Sequence, residues 1–351
     1  MMNVTTDSFS IVSRDAQESR IAATWLRRLE RCLGDEGAPQ FLQALRETRI
    51  SQGDIDRADN IKQAQLDQVS RIIRADIPDI TLRMFAIAEL SDLGLTGYAA
   101  VNSGSVGRAM AVLYQYHSLT SDRYSDLLER VGDVAIVRAV PLFNHLHELQ
   151  NIAEDSFMGN WRCLQILLGD TFDPGKIRLN FQHAAPPYAA TYKAVFSGAQ
   201  LNFEAEQSEL HFPVRWLDSP VNNAIEGMEN IYTAMCERVL GPGDAAGDTA
   251  GQVRRLLLSR PGRKMLRLEE AAQYLRLSAT QLRKRLYRAD TSYKRLVLEI
   301  RLELAKHYLL DTKLTVQEIS YLLDYSQPAP FSRAFKLNCG LAPNQFRQAN
   351  A

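Results

Sequence analysis

A chain of 351 residues, 46% hydrophobic and 23% charged, is long enough for two or three globular domains and a sizeable buried core. Its four cysteines, Cys32, Cys163, Cys236 and Cys339, are isolated from one another. That spacing argues against a disulfide framework or a zinc site and fits a reducing, cytoplasmic setting. The opening MMNVTTDSFS has neither the basic nor the apolar region of a signal peptide, and no uncharged apolar run reaches bilayer length, so no membrane association is expected. The net charge of zero hides a split. Residues 251–351 carry 19 Lys and Arg against 8 Asp and Glu, a net of +11, and residues 1–250 stand at −11. Such asymmetry points to a polyanionic partner for the basic part.

Taken in chain order, residues 1–15 read as a polar, poorly ordered lead. Helical periodicity follows in Ile21–Leu33, Phe41–Arg46, Leu66–Ile73 and Ile80–Leu90. Gly94-Leu-Thr-Gly97-Tyr98 reads as a turn, because its glycines do not make a dinucleotide fingerprint. A helix is expected from Ser105 to His117. The pattern then changes: a buried strand at Val134–Val140, a helix at Ser156–Leu168, a half-buried strand at Ile177–Phe181 and a short helix at Pro186–Phe196. Leu201–Phe203 and Leu210–Phe212 read as two strands joined by an acidic turn, and Val221–Leu240 as a closing helix. The order is that of an α+β unit. Residues 241–251 are small, polar and glycine-rich, which makes a flexible linker; the charge changes sign there.

Two helix-turn-helix patterns follow the linker. In the first, Leu268, Ala272 and Leu275 share one helical face, Leu282 and Leu286 share the next, and Ser278 is a good N-cap between them. The outward face of the second helix carries Thr280, Gln281, Arg283, Lys284 and nearby Arg288, side chains suited to base edges and phosphates. The second pattern starts with a capping box, Thr315 with Glu318. It turns at Asp324-Tyr325-Ser326 and continues into a helix with Ser326 as its cap, so that Pro328 and Pro330 fall in the first turn, where a missing N–H costs little. Phe331 and Phe335 should be core; Gln327, Ser332, Arg333 and Lys336 join Ser326 as candidate DNA contacts. Between the units, 292–310 is apolar on two sides, with Leu296, Ile300, Leu304 and Tyr308 on one and Leu298, Leu302, Ala305 and Leu309 on the other. A helix of that length spans roughly 28 Å, close to the ~34 Å turn of B-DNA, so it can hold two recognition helices in successive major grooves. The bland alternative is a basic helical bundle with solvated charges.

These residues carry a specific resemblance. Leu275-x-Leu-Ser278, Leu282-x-x-Arg285-Leu286, Arg301-x-x-x-Ala305-x-x-x-Leu309, Ile319, Leu323, Phe331-Ser-Arg-Ala-Phe335-Lys336 and Gly340-Leu-Ala-Pro343 make residues 253–348 similar to the DNA-binding domain of the AraC/XylS family. The resemblance implies seven helices, two of them reading adjacent major grooves, with double-stranded DNA and RNA polymerase as partners. Arg276 and Asp324 stand where the family pattern has glycine at the two turns. Ala329-Pro330 replaces a polar-small pair, so the second unit is expected to read fewer bases and to act more through the DNA backbone. Upstream, Gly94-Leu-Thr-Gly97-Tyr98, Phe181-Gln-His183-x-x-Pro186, and Phe203 through Leu210-x-Phe212 to Leu217-Asp-Ser-Pro220 resemble the effector or dimerisation domain of the ornithine-utilisation-regulator type, rather than the cupin-like sugar pocket of the arabinose regulator. That likeness implies sensing and dimerisation and names no ligand.

No catalytic or cofactor constellation emerges. His145-x-His147 lacks a third ligand at metal spacing, Ser103-Gly-Ser105-Val-Gly107 misses the nucleophile-elbow spacing, His183 reads as a structural loop residue, and Cys163 sits in an apolar stretch. Among the aromatics Phe157, Trp161, Tyr188, Tyr192 and Trp216, the candidates for a ligand pocket are Trp161, Tyr188 and Tyr192, against the competing reading of core packing. The expected fold class is mostly α: an α+β sensor/dimerisation domain at 1–240, a linker at 241–251, and an all-α double helix-turn-helix domain at 252–351. The expected function is a homodimeric, sequence-specific, DNA-binding transcriptional regulator controlled by a small-molecule effector. Two alternatives stay open: an N-terminal domain that only dimerises or binds a protein partner, and an enzyme with a DNA-binding tail.

Overall fold

The computed structural model describes residues 14–57, 61–120, 123–141, 149–222, 224–240, 249–258, 265–275 and 277–350. Most of the expected polar lead, linker residues 241–248, Arg276 and the His145/His147 pair lie outside the described residues; residues 249–251, expected to end the flexible linker, instead open a helix, with Thr249 and Gly251 buried. Among the described residues no helix is long and apolar enough to cross a membrane.

The first layer is helical: α1 (Arg14–Thr48), α2 (Gln52–Arg57), α3 (Gln63–Asp76) and α4 (Ile80–Ala86). Helix α1 breaks at Gly34, so its two periodic stretches fall on either side of the break. Leu26, Leu29, Phe41, Ile55, Val69 and Ile73 close a core of their own. Next comes α5 (Leu95–Val101), where a turn is expected from the two glycines. Gly97 is there for proximity: a Cβ on it would lie 1.7 Å from the carbonyl oxygen of Leu90. The helix therefore keeps a residue that is locally unfavourable to it. Helix α6 (Val106–Gln115) starts where expected, with Ser105 Oγ accepting from the Arg108 N–H at 3.2 Å.

The middle of the chain forms a sheet that includes one strand the hydrophobic pattern does not announce. Strand β1 (Tyr124–Val131) pairs antiparallel with β2 (Val134–Pro141) across a two-residue turn. Helix α7 (Leu149–Leu168) follows, then β3 (Arg178–Asn180), α8 (Ala189–Val195), β4 (Gln200–Asn202), β5 (Glu209–Pro213) and α9 (Met228–Leu240). The strand order is β1-β2-β5-β3-β4. The two strands expected to be neighbours through an acidic turn do not pair. Strand β3 lies between them, antiparallel to β5 (Leu179 opposite Leu210) and parallel to β4 (Leu179 opposite Leu201). Their connection crosses the end of β3, with Ala205 donating its N–H to the Phe181 carbonyl at 3.0 Å and Glu204 at φ +58°. Helix α7 is buried nearly all round: Phe157, Trp161, Leu164 and Leu167 fill the core beneath the sheet. Burial pushes the Cys163 thiol up to about 12, so it is a packing group. Helix α9 starts later than the expected Val221, directly after Gly227, whose φ of +84° stops a helix from extending upstream.

Seven helices follow among the described residues: α10 (Thr249–Leu258), α11 (Leu268–Tyr274), α12 (Ala279–Arg288), α13 (Tyr293–Asp311), α14 (Val316–Leu322), α15 (Pro328–Cys339) and α16 (Pro343–Ala349). Their core does not close on itself. Leu95 and Ala99 of α5 and Met228, Ile231 and Tyr232 of α9 belong to the same apolar cluster as Val253 of α10 and Ile300, Leu304 and Tyr308 of α13. At this seam Gly227 is pressed so close to α13 that a Cβ would lie 1.5 Å from the Asp311 carbonyl oxygen. An exposed ion pair, Lys313 to Glu226 at 2.7 Å, spans the same seam. The apolar contact is the larger contribution, since each fully buried Leu or Ile is worth roughly 1.5–3 kcal/mol, whereas a fully exposed pair is screened by solvent.

Candidate nucleic-acid interface

The first unit is α11, a short turn, and α12. Ser278 is the N-cap of α12: its Oγ accepts from the Gln281 N–H at 3.1 Å, and Gln281 Oε1 accepts from the Ser278 N–H at 2.8 Å. This reciprocal box satisfies two backbone donors that a helix start leaves free. Leu282 and Leu286, one turn apart, are buried. At about 100° per residue, Thr280, Lys284 and Arg288 lie opposite that pair, with Gln281 and Arg283 on its flanks; all five are exposed. Arg283 makes a 3.4 Å exposed contact to Glu269 of α11. Tyr287, 80% exposed, stands beside Lys284 and Arg288 on this outward arc. The sequence reading passed over it, although its offset from Leu282 and Leu286 was enough to place it outward.

The second unit is α14, a turn, and α15. Thr315 and Glu318 form the expected box: Thr315 Oγ1 accepts from the Glu318 N–H at 3.2 Å, and Glu318 Oε2 accepts from the Thr315 N–H at 2.7 Å. The Thr315 N–H, and then the Thr315 hydroxyl at 2.8 Å, donate to Glu318 Oε2 and hold its carboxyl below its usual range. Asp324 adopts φ +59°, the left-handed conformation that aspartate tolerates better than most side chains. Its carbonyl accepts from Arg301 Nη2 at 3.1 Å, its carboxylate lies 3.5 Å from the same nitrogen, and the guanidinium stacks 4.6 Å over the Tyr325 ring. Arg301, within one of the motifs above, thus offsets the negative charge that the turn introduces.

The cap of α15 differs from expectation. It is Gln327, not Ser326, and its side chain makes no capping bond. Pro328 is the cause: a residue before proline is driven out of the helical region, so Gln327 is extended (φ −151°, ψ 153°) and the helix begins at the proline itself. Both prolines still fall in the first turn. Phe331 and Phe335 are buried, with ring centroids 5.8 Å apart, and Phe346 of α16 packs edge-on against Phe335 at 5.3 Å. Ser326, Gln327, Arg333 and Lys336 are exposed, whereas Ser332 is half-buried. Leu337, 86% exposed, joins Arg333 and Lys336 on the outward arc.

Helix α13 joins the two units. Ser292 caps it, accepting from the Arg295 N–H at 3.2 Å. All four residues of the first expected stripe are buried, as are Ala305 and Leu309 of the second; Leu298 and Leu302 are half-buried. At its far end Arg347 of α16 donates to the Leu309 carbonyl (2.8 Å), an acceptor that the helix C-terminus leaves open, and to the Leu314 carbonyl (2.6 Å) in the connection that follows.

The three ligand candidates do not converge. Tyr188 and Tyr192 are neighbours with ring centroids 6.0 Å apart. Trp161 is packed edge-on between Phe172 and Phe196, inside the core.

Residues 40–221, more than half of the chain, match the family model described as the arabinose-binding domain of AraC transcription regulator, and residues 271–349 match a helix-turn-helix domain model. The chain is 30% identical over 257 residues to the ornithine utilization regulator of Pseudomonas aeruginosa, covering 73% of this chain and 74% of that one. The chain belongs to the AraC family of transcription regulators. An uncharacterized HTH-type transcriptional regulator of Mycobacterium tuberculosis is 24% identical over 323 residues, covering 85% of this chain and 88% of that one. The crystal structure of the transcriptional regulator CdpR from Pseudomonas aeruginosa is similar at TM-score 0.43 and 19% identity, covering 90% of this chain and 98% of that chain. This AraC-family regulator is thus a mostly helical, DNA-binding transcription factor with a sheet-containing N-terminal domain of the arabinose-binding type.

Proposed function

We propose that this AraC-family protein is a cytoplasmic homodimer whose effector-binding N-terminal domain, residues 1–240, controls how a reader domain, residues 252–351, engages its operator and RNA polymerase. In this reading α12 and α15 enter successive major grooves. Thr280, Gln281, Arg283, Lys284 and Arg288 face the DNA from the first unit, with Ser278 fixing the helix start. Ser326, Gln327, Arg333 and Lys336 do so from the second, Ser332 lying at the margin, and Tyr287 and Leu337 join them. The carrying observation is that two helices with polar and basic outward arcs flank one continuous helix, α13, in a segment with a net charge of +11. That combination supports duplex recognition and favours a DNA reader over an enzyme with a DNA-binding tail.

Control by an effector finds support in the seam: α5 and α9 share an apolar core with α10 and α13, so a rearrangement in the N-terminal domain is felt by the spacer between the readers. An effector shifts such an equilibrium by its differential affinity for the two states, and a tenfold change in operator affinity needs only about 1.4 kcal/mol. The test is genome-wide mapping of the full-length protein on DNA, followed by binding to the recovered operator at fixed salt and light scattering of the complex. A single palindromic or repeated operator bound by a dimer is the expected result. A monomer on and off DNA overturns the dimer, and binding indifferent to every metabolite of the controlled pathway overturns the sensor.

A further inference from the structure

Helix α7 carries four buried polar residues in a helix otherwise surrounded by apolar core: Glu154, Asp155, Ser156 and Asn160. Three are matched. Asp155 accepts from Arg123 at 2.9 Å, Ser156 donates to Asp126 of β1, and Asn160 donates to the Ser156 carbonyl at 2.9 Å and accepts from Tyr114. Glu154, fully buried, is satisfied on one side only. Three donors converge on its Oε1: Tyr192 at 2.6 Å, Tyr188 at 3.0 Å and Gln150 at 3.0 Å. Its Oε2 is equally buried and has no hydrogen-bond partner among the described residues. A buried carboxyl oxygen left without a hydrogen bond is costly, which makes Glu154 an unusual residue to hold in a core.

The surroundings are aromatic. Tyr192 has Phe203 at 5.3 Å and His183 at 6.0 Å, and His183 lies 5.7 Å from Phe203. Burial, and then the neighbouring Glu154, raise both tyrosines above their ordinary range, so their hydroxyls remain donors to Oε1. The cluster has depth: Glu154 and Tyr192 are buried, while Gln150, Tyr188, His183 and Phe203 above them are half-buried. A carboxyl floor under a partly exposed aromatic rim is the chemistry that recognises an ammonium group, through charge at the floor and cation–π attraction at the rim. Anionic ligands are disfavoured by the buried carboxyl. A sugar requires many donors and acceptors at once, whereas the tyrosine hydroxyls and the Gln150 amide are already committed to one another and to Oε1. Arg74, whose charge reaches Tyr188, has its Nη atoms on Asn151 and Thr81.

We propose that Glu154, beneath Tyr188, Tyr192, His183 and Phe203, binds the ammonium group of a small amine. This rests on the sensor reading and gives its effector a chemical class. The test is thermal shift of the full-length protein with methylamine, tetramethylammonium, n-butylamine and putrescine, against glutarate and L-arabinose at matched ionic strength. At least one amine should raise Tm by several degrees in wild type, and Glu154→Gln should weaken that amine tenfold or more. Phe203→Ala, at the half-buried rim, should weaken it severalfold and serves if Glu154→Gln does not fold. No response to any amine, a response unchanged in both variants, or a response to L-arabinose or glutarate alone overturns the assignment; a Glu154 filled by water or by the protein itself gives the first of these. Operator binding with the same compounds separates the two readings. Control by a sugar or dicarboxylate leaves the sensor standing and removes the amine site. Amine binding without any change in operator affinity leaves the site and removes the sensor.

Discussion

The two readers begin in different ways. Helix α12 starts with a reciprocal side-chain box at Ser278 and Gln281, exposes a dense polar arc, and buries only two leucines. Helix α15 starts at a proline with an extended Gln327 and no side-chain cap, and is anchored instead by Phe331 and Phe335 against Phe346. The first helix is fixed by hydrogen bonds at its tip, the end nearest the bases in a helix-turn-helix. The second is fixed by aromatic packing along its length. The contrast teaches that one supersecondary motif can be specified through its cap or through its core.

The harshest test of this contrast is at the aromatic anchor. Phe335→Ala should cost about 3–5 kcal/mol, read as a drop in the denaturation midpoint of the full chain, and should remove the contribution of the second operator subsite. A loss under 1 kcal/mol would mean that α15 is not held by its core. Next in size are the outward side chains. Arg283→Ala should lose about 1–3 kcal/mol on the specific operator and much less on random DNA, whereas Arg333→Ala and Lys336→Ala should weaken both alike and each lower the salt slope by about 1. Competition titrations at several salt concentrations measure this, and a sequence-selective loss at Arg333 would make α15 a base reader equal to α12. The smallest effect is at the caps. Ser278→Ala should cost about 1 kcal/mol, while Gln327→Ala, which removes no capping bond, should stay within about 0.5 kcal/mol. Equal costs in denaturation would erase the distinction drawn between the two helix starts.

The reader domain was legible in the sequence because its signals are local. Ser278, Thr315 with Glu318, the Leu282/Leu286 pair and the α13 stripes all act within one or two turns. Local signals mislead at the α15 cap, where the capping preference of Ser326 yields to the constraint that Pro328 places on Gln327, and they do not mark the outward Tyr287 and Leu337 or the half-buried Ser332. The N-terminal domain was less legible because its decisive contacts are remote. Strand β1 turns the side chain of Asp126 inward, 6% exposed, toward Ser156 and His117, so the apolar alternation that marks a strand is absent. Burial raises that carboxyl to about 6 and lowers His117 to about 4, a pairing no local pattern encodes. The order β5-β3-β4 depends on a crossing near Glu204 and Ala205, and the helix at Gly97 depends on the backbone of Leu90. Tyr188 and Tyr192 stand out in the sequence by their aromaticity, but Glu154, to which both donate, is silent in a sequence where a glutamate inside a helix is ordinarily solvated.

Helix α13 runs without interruption from Tyr293 to Asp311, capped by Ser292 at one end and held by Arg347 at the other. Such a rod makes the angular phase between the two readers a constant of the protein. On B-DNA each inserted base pair turns the second subsite by roughly 34–36°, and no single side chain can restore that rotation. An operator for this protein can therefore drift in its letters, position by position, while its spacing stays frozen.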